Sequence, residues 1–263
     1  MRNKHSPVLS ALLIIALGVT AYAGYQVYID HEKYQDSSRK YQALEKEVVL
    51  DTQADNAEVP KDLEVERSGN QDTKKPPIQV DFTKLGKLGS DLKGWLYLEA
   101  LDISYPLMQS TDNDYYLHRT VNGDYDFAGS IFMDAENNPD FTDSNTIIYG
   151  HNMADGSMFG TLKNYTLDAA NQSSPYIWIL TEKQDYCYEI FSAQTANTSS
   201  ECYTLFSETD QTFISFLERM RRNSGIETGS FTFSEKDKIL TLSTCNGDGT
   251  DTNRYVVQAL RRE

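Results

Sequence analysis

Thr241-Leu242-Ser243-Thr244-Cys245 closes an apolar run, and nine positions after the cysteine Arg254 opens another, Tyr255 to Leu260. Far upstream a third run, Thr146-Ile147-Ile148-Tyr149, delivers Gly150-His151-Asn152. The three runs have the β-branched and aromatic content of strands. One thiol, one imidazole and one guanidinium therefore each stand beside a strand, which is the raw material of a thiol active site.

A free cysteine titrates at roughly 8.5 and needs a cationic neighbour to become a good nucleophile near neutral pH. His151 can exchange a proton with the thiol and later protonate a leaving amine, the dual role that acyl transfer requires. Arg254 stays charged at all relevant pH and presents five donors, enough to hold a substrate backbone or steady an oxyanion. Taken singly each residue has a plainer explanation: a cysteine ending a strand is commonly buried packing, and a histidine after a strand is ambiguous.

Around these runs lie others of the same kind: Trp95 to Leu98, Ile103 to Met108, Ser130 to Met133, Tyr176 to Leu180 and Tyr188 to Ala193, with Lys238 to Ser243 leading into the cysteine. Many short strands with long polar connections point to a barrel or a sandwich. Two helices are expected. Asp81 is a candidate N-cap for an amphipathic helix carrying Phe82, Leu85, Leu88 and Leu92. Ser207 with Asp210 makes a capping-box-like start for a second, with Phe213, Phe216, Leu217 and Met220 on one face, arginines in its last turn and Gly225 to end it.

The net charge of −15 argues against a phosphate-backbone partner, so nucleic acid is not expected. Val8 to Ile29 is a 22-residue stretch without a charged side chain, about the length that crosses a hydrocarbon core of roughly 30 Å. Arg2 and Lys4 precede it, which puts the N-terminus in the cytoplasm and the bulk of the protein outside. Ala21-Tyr22-Ala23 fits a signal-peptide cleavage site, but apolar character continues through Val27, Tyr28 and Ile29, which favours a retained anchor. The stretch from Asp30 onward is polar and charged, with His31 to Leu50 open to helix and Asp51 to Pro77 of linker composition. The expected organisation is a cytoplasmic tip and transmembrane anchor over 1–29, a polar stalk over 30–79 and a catalytic domain over 80–263. Cys187 and Cys202 are read as two small buried side chains in preference to a disulfide.

Thr241-Leu242-Ser243-Thr244-Cys245 resembles the signature of the sortase family, in which a Thr-Leu-x-Thr-Cys strand ends in the nucleophile and the next strand opens with the essential arginine. Gly129 to Asp134, Ile147 to Met153 followed by Gly156 and Met158-Phe159, and Asp112-Asn113 with Tyr116-Leu117 are similar to the class B branch. The resemblance runs from about Val80 to the C-terminus. It implies a mainly β fold: a closed eight-stranded sortase-type barrel with an N-terminal helix and a long helix between strands six and seven. By position it makes Cys245 the nucleophile, His151 the general acid and base, and Arg254 the substrate clamp or oxyanion stabiliser. Tyr149, Ser243, Asn246, Asn113 and Leu117 become substrate-lining candidates. The implied reaction is transpeptidation without a cofactor or metal. A secreted protein with a C-terminal sorting motif is cleaved after threonine and held on the cysteine as a thioester. An amine of a peptidoglycan precursor or of a pilin then resolves it. Specificity is expected in Tyr203 to Phe206 and in the loop before His151.

Rival readings use the same residues. A thiol hydrolase would release the thioester to water, and a membrane-tethered binding domain would carry the cysteine by chance. Asn246 to Asp251 looks faintly like a calcium loop but lacks the closing glutamate, so a flexible connection is expected there. The acidic set Asp124, Asp126, Asp134, Glu136, Asp140 and Asp143 is read as a solvated surface in preference to a cation site.

Overall fold

The structure, a computed structural model, describes residues 7–51, 74–167, 173–245 and 252–262. The chain divides into two compact units, Met1–Gln42 and Ala43–Glu263. Helix α1 (Pro7–Val48) supplies the first unit and runs on into the second. Along the first unit Leu12, Leu13, Ile14, Ile15, Leu17, Val19 and Val27 are each more than half exposed. Contiguous exposed apolar surface of this extent calls for hydrocarbon or a partner to cover it. Among the described residues, α1 is the helix long and apolar enough to cross a bilayer.

The second unit is built on strands, in the order β1 (Val49–Asp51), β2 (Ile78–Val80), α2 (Phe82–Leu85), β3 (Leu92–Leu98), β4 (Ile103–Met108), β5 (Ile131–Met133), β6 (Asn145–His151), α3 (Asn164–Leu167), β7 (Tyr176–Leu180), β8 (Asp185–Asn197), α4 (Gln211–Arg222), β9 (Ile239–Cys245) and β10 (Asn253–Arg262). β3 to β10 close a barrel in the order β10-β8-β7-β3-β4-β5-β6-β9. Neighbours pair antiparallel except β4 with β5 and β6 with β9, which are parallel. Each of the eight runs expected as strands is a barrel strand, and closure leaves that sheet without an open edge.

Two apolar clusters thicken the barrel. Phe213, Phe216, Leu217 and Met220 of α4 pack with Phe191, Cys202, Ile239, Val256 and Leu260. This is the helix expected between the sixth and seventh barrel strands, and its burial pattern matches the expected face. Its cap differs in detail: the Asp210 side chain accepts from the Thr212 N–H, and the helix ends at Arg222, with Asn223 and not Gly225 as its C-cap. A second cluster joins Val48, Ile78, Leu85, Trp95 and Leu180. Here Asp81 caps α2 by accepting from the Thr83 and Lys84 N–H groups, but the helix is only one turn before a 3-10 turn, and Leu92 begins β3. To the expected stalk over 30–79 the structure adds a docked piece: β1 pairs antiparallel with β2, and Asp81 N donates to Val48 O at 2.8 Å. Cys187 and Cys202 are both free and buried, and burial pushes the Cys187 thiol up to about 11.

Candidate active site

β6 and β9 run side by side in parallel register from Asn145↔Ile239 to His151↔Cys245. Adjacent strands lie about 4.8 Å apart, so the two residues at the end of this ladder are backbone neighbours. A slip by one residue would exchange the faces of a whole strand, and a buried polar clamp opposes it. Thr241 Oγ1 donates to Asn145 Oδ1 at 2.7 Å, Gln258 Nε2 donates to Thr241 Oγ1 at 3.2 Å, and Asn145 Nδ2 donates to the Cys202 and Thr204 carbonyls at 3.1 Å each. Three strands and the turn after β8 are thereby tied to one register. The buried side chains of such a clamp favour this alignment, since a slip would break these hydrogen bonds and leave further polar atoms unpaired beside Gln258 Oε1, which has no partner here.

β10 continues the arrangement. Val256 is the register partner of Ser243, and Tyr255 N donates to Thr244 Oγ1 at 3.0 Å. Arg254 stands next on β10 and Cys245 two residues on along β9. The Arg254 side chain is partly exposed, and its Nη1 donates to the Asn253 carbonyl at 3.0 Å. The Cys245 side chain and Asn246, with the rest of the glycine-containing connection through Asp251, lie outside the described residues.

His151 is 6 % exposed, and its Nε2 lies 2.7 Å from the Leu117 carbonyl oxygen. A carbonyl can only accept, so Nε2 carries a proton and donates it. The His151 carbonyl in turn accepts from Phe159 N at 2.9 Å. Gly150 lets this strand end pack closely: a Cβ there would sit 2.4 Å from Ile131 Cδ1 and 2.8 Å from the Phe159 ring. The Leu117 segment is fixed as firmly. Ser130 N donates to Tyr116 O at 2.9 Å, Asp126 N to His118 O at 3.0 Å, and Ser130 Oγ to Arg119 O at 2.7 Å. With the Leu117 carbonyl on His151, all four consecutive carbonyls from Tyr116 to Arg119 are engaged.

Two of the remaining candidates, Tyr149 and Asn113, meet at Asp134. Its Oδ2 accepts from Tyr149 Oη at 2.8 Å and from Asn113 Nδ2 at 3.0 Å, and its Oδ1 accepts from Glu136 N at 2.9 Å. Asn113 Oδ1 also accepts from Ala135 N at 2.8 Å. Ser243 Oγ pairs with Tyr203 Oη at 2.8 Å, which brings the segment flagged for specificity onto the strand that ends in Cys245. The reading of the acidic set as solvated surface needs correction for two members: Asp126 and Asp134 are each 7 % exposed and serve as internal acceptors. Among the described residues no group of three or more His, Cys, Asp or Glu side chains is arranged to hold a metal. Sequence reasoning missed Asp134 as a junction and His118, whose ring stacks on that of His151.

Comparison with known proteins gives a consistent picture. A family model described as a sortase domain matches residues 96–262. Sortase B of Listeria monocytogenes is 38% identical over 184 residues, covering 69% of this chain and 74% of that protein. Sortase B of Staphylococcus aureus is 27% identical over 254 residues, covering 95% and 93%. Among solved structures, a Staphylococcus aureus sortase B–substrate complex matches with TM-score 0.64 and 32% identity over 69% of this chain and 84% of that one. A Clostridium perfringens sortase B matches with TM-score 0.63 and 32% identity over 70% and 100%.

Proposed function

The chain belongs to the sortase family in its class B branch and is a cysteine transpeptidase; from that premise we propose which of its residues carry the transfer, and between which partners. Cys245 is the nucleophile. Its thiolate attacks the carbonyl carbon of a threonine in a C-terminal sorting motif, the bond from that carbon to the next residue's nitrogen breaks, and the departing amine takes a proton from His151. Because His151 Nε2 is committed to the Leu117 carbonyl, proton exchange falls to Nδ1. Arg254 steadies the oxyanion or clamps the peptide backbone, a task suited to a permanently charged, forked donor. In the second half an amine attacks the thioester, His151 takes its proton, and the sulfur leaves as thiolate.

The observation that supports this reading most is the parallel β6–β9 register, with His151 and Cys245 as its last partners and Arg254 entering beside them on β10. Tyr149, Ser243, Asn113, Leu117 and Asn246 line the peptide. The substrates are secreted proteins with such a motif, and the acceptor amine comes from a peptidoglycan precursor or a pilin. Residues 1–29 are the cytoplasmic tip and single-pass anchor, residues 30–79 the stalk with its docked piece, and 80–263 the catalytic domain outside the membrane. The exposed apolar side chains of α1 support the anchor.

The test uses the full chain in detergent, screened against threonine-containing pentapeptides with and without an added amine. A peptide acyl mass should appear on Cys245, absent in Cys245→Ala, and the amine should speed its release as a joined product. His151→Ala and Arg254→Ala should each lower the acylation rate by about a hundredfold or more. An acyl adduct that survives in Cys245→Ala removes the assignment; release indifferent to the amine turns the enzyme into a hydrolase.

A further inference from the structure

The segment that receives the His151 hydrogen bond does a second thing to the same ring. His118 follows Leu117 directly, and its imidazole stacks on that of His151 with ring centroids 5.4 Å apart and planes 26° from parallel. This is the spacing at which flat π-systems attract each other in offset stacks. One ring edge of His151 is held by the Leu117 carbonyl and one ring face by His118, so two adjacent residues fix both its in-plane direction and its tilt. His118 is itself held: its carbonyl accepts from Asp126 N, and its ring lies 6.2 Å from that of Tyr125.

A second observation says that this placement is not made for the sake of the His118 Nδ1 atom. His118 Nδ1 is shielded from solvent and has no hydrogen-bond partner, one of three such side-chain atoms among the described residues. A buried polar atom without a partner is a penalty that native structures rarely carry without a reason. What the ring contributes is its flat face.

We infer that His118 is a positioning residue, whose ring is the wall that holds His151 in the orientation needed to pass a proton between the Cys245 thiol and the leaving amine. The inference rests on the assignment of Cys245 and His151 made above. Loss of the wall removes the stacked face that sets the tilt of the His151 ring. Misplacement of a proton-transfer group by a fraction of an ångström to an ångström costs on the order of tenfold to a hundredfold in rate. Peptide affinity, set by other residues, stays as it was.

The experiment compares the full chain with His118→Ala, His118→Leu and His118→Phe. Each is assayed with whichever threonine-containing pentapeptide the parent acylates fastest, with Cys245→Ala and His151→Ala as controls and thermal unfolding of every variant. Phenylalanine keeps a flat face and removes both nitrogens; leucine fills space without a flat face. The expected result is a kcat for His118→Phe within about twofold of the parent, and a kcat roughly tenfold lower or worse for His118→Leu and His118→Ala at unchanged KM. If alanine fails to fold, the leucine and phenylalanine pair carries the comparison. Three results overturn the inference: parental kcat in His118→Leu, a loss confined to KM, or a loss in His118→Phe as deep as in His118→Leu. Activity that persists in Cys245→Ala or His151→Ala instead overturns the assignment beneath it.

Discussion

At the scale of single residues, the backbone that holds His151 depends on a glycine. Gly129 has φ +58, and a Cβ there would lie 2.3 Å from Leu117 O and 2.6 Å from Tyr116 O. Gly129→Ala is expected to cost about 1–2 kcal/mol from the left-handed conformation alone, and more from the clash. It should also displace the carbonyl that bonds His151, so kcat falls beyond what thermal unfolding explains; an unchanged kcat would detach Gly129 from the site. Thiol chemistry gives a second check. Burial raises the Cys187 and Cys202 thiols, so iodoacetamide near neutral pH should label one site in the folded chain, and none quickly in Cys245→Ala. The three catalytic candidates were legible because each sits in a short local text at a strand end. Asp134 was not, since its partners Tyr149 and Asn113 are ones that chain order does not bring beside it. His118 was hidden for the same reason: adjacency to Leu117 is visible in sequence, but the stack across to β6 is tertiary.

Secondary-structure elements were legible where periodicity is strong. All eight barrel strands and the apolar face of α4 follow from it, whereas the cap of α4 turned on which of two acceptors reaches the first turn. The structure gives that role to Asp210, so Asp210→Ala should lower the unfolding midpoint measurably and Ser207→Ala by much less. Paired thermal or urea unfolding would separate them. The β1–β2 pair escaped the sequence because three-residue strands in a polar stretch carry no period. It has a measurable consequence: Ile78, Leu85 and Trp95 share a buried cluster with Val48. A chain beginning at Val80 should therefore unfold several degrees below one beginning at Ala43, and equal midpoints would show that β1 adds nothing to the fold.

For the whole molecule, burial predicts how stability responds to alkali. Tyr105 and Tyr165 are raised from 10.0 to about 12 and Cys187 from 9.0 to about 11, in each case chiefly because burial disfavours the charged form. Folded values above unfolded ones mean that this contribution is complete below about pH 9 and is lost as the pH climbs towards about 12. The thermal midpoint should hold to about pH 9 and decline above it, and a midpoint flat through pH 12 would contradict the burial assigned to these groups. The pairing of β6 with β9 also bears on biogenesis. It joins residues 94 positions apart, His151 and Cys245, through a contact that cannot form until nearly the last strand has left the ribosome. On the assignment proposed above, a half-made polypeptide has the imidazole but no electrophile-seeking sulfur beside it, and the enzyme stays chemically silent during its own synthesis.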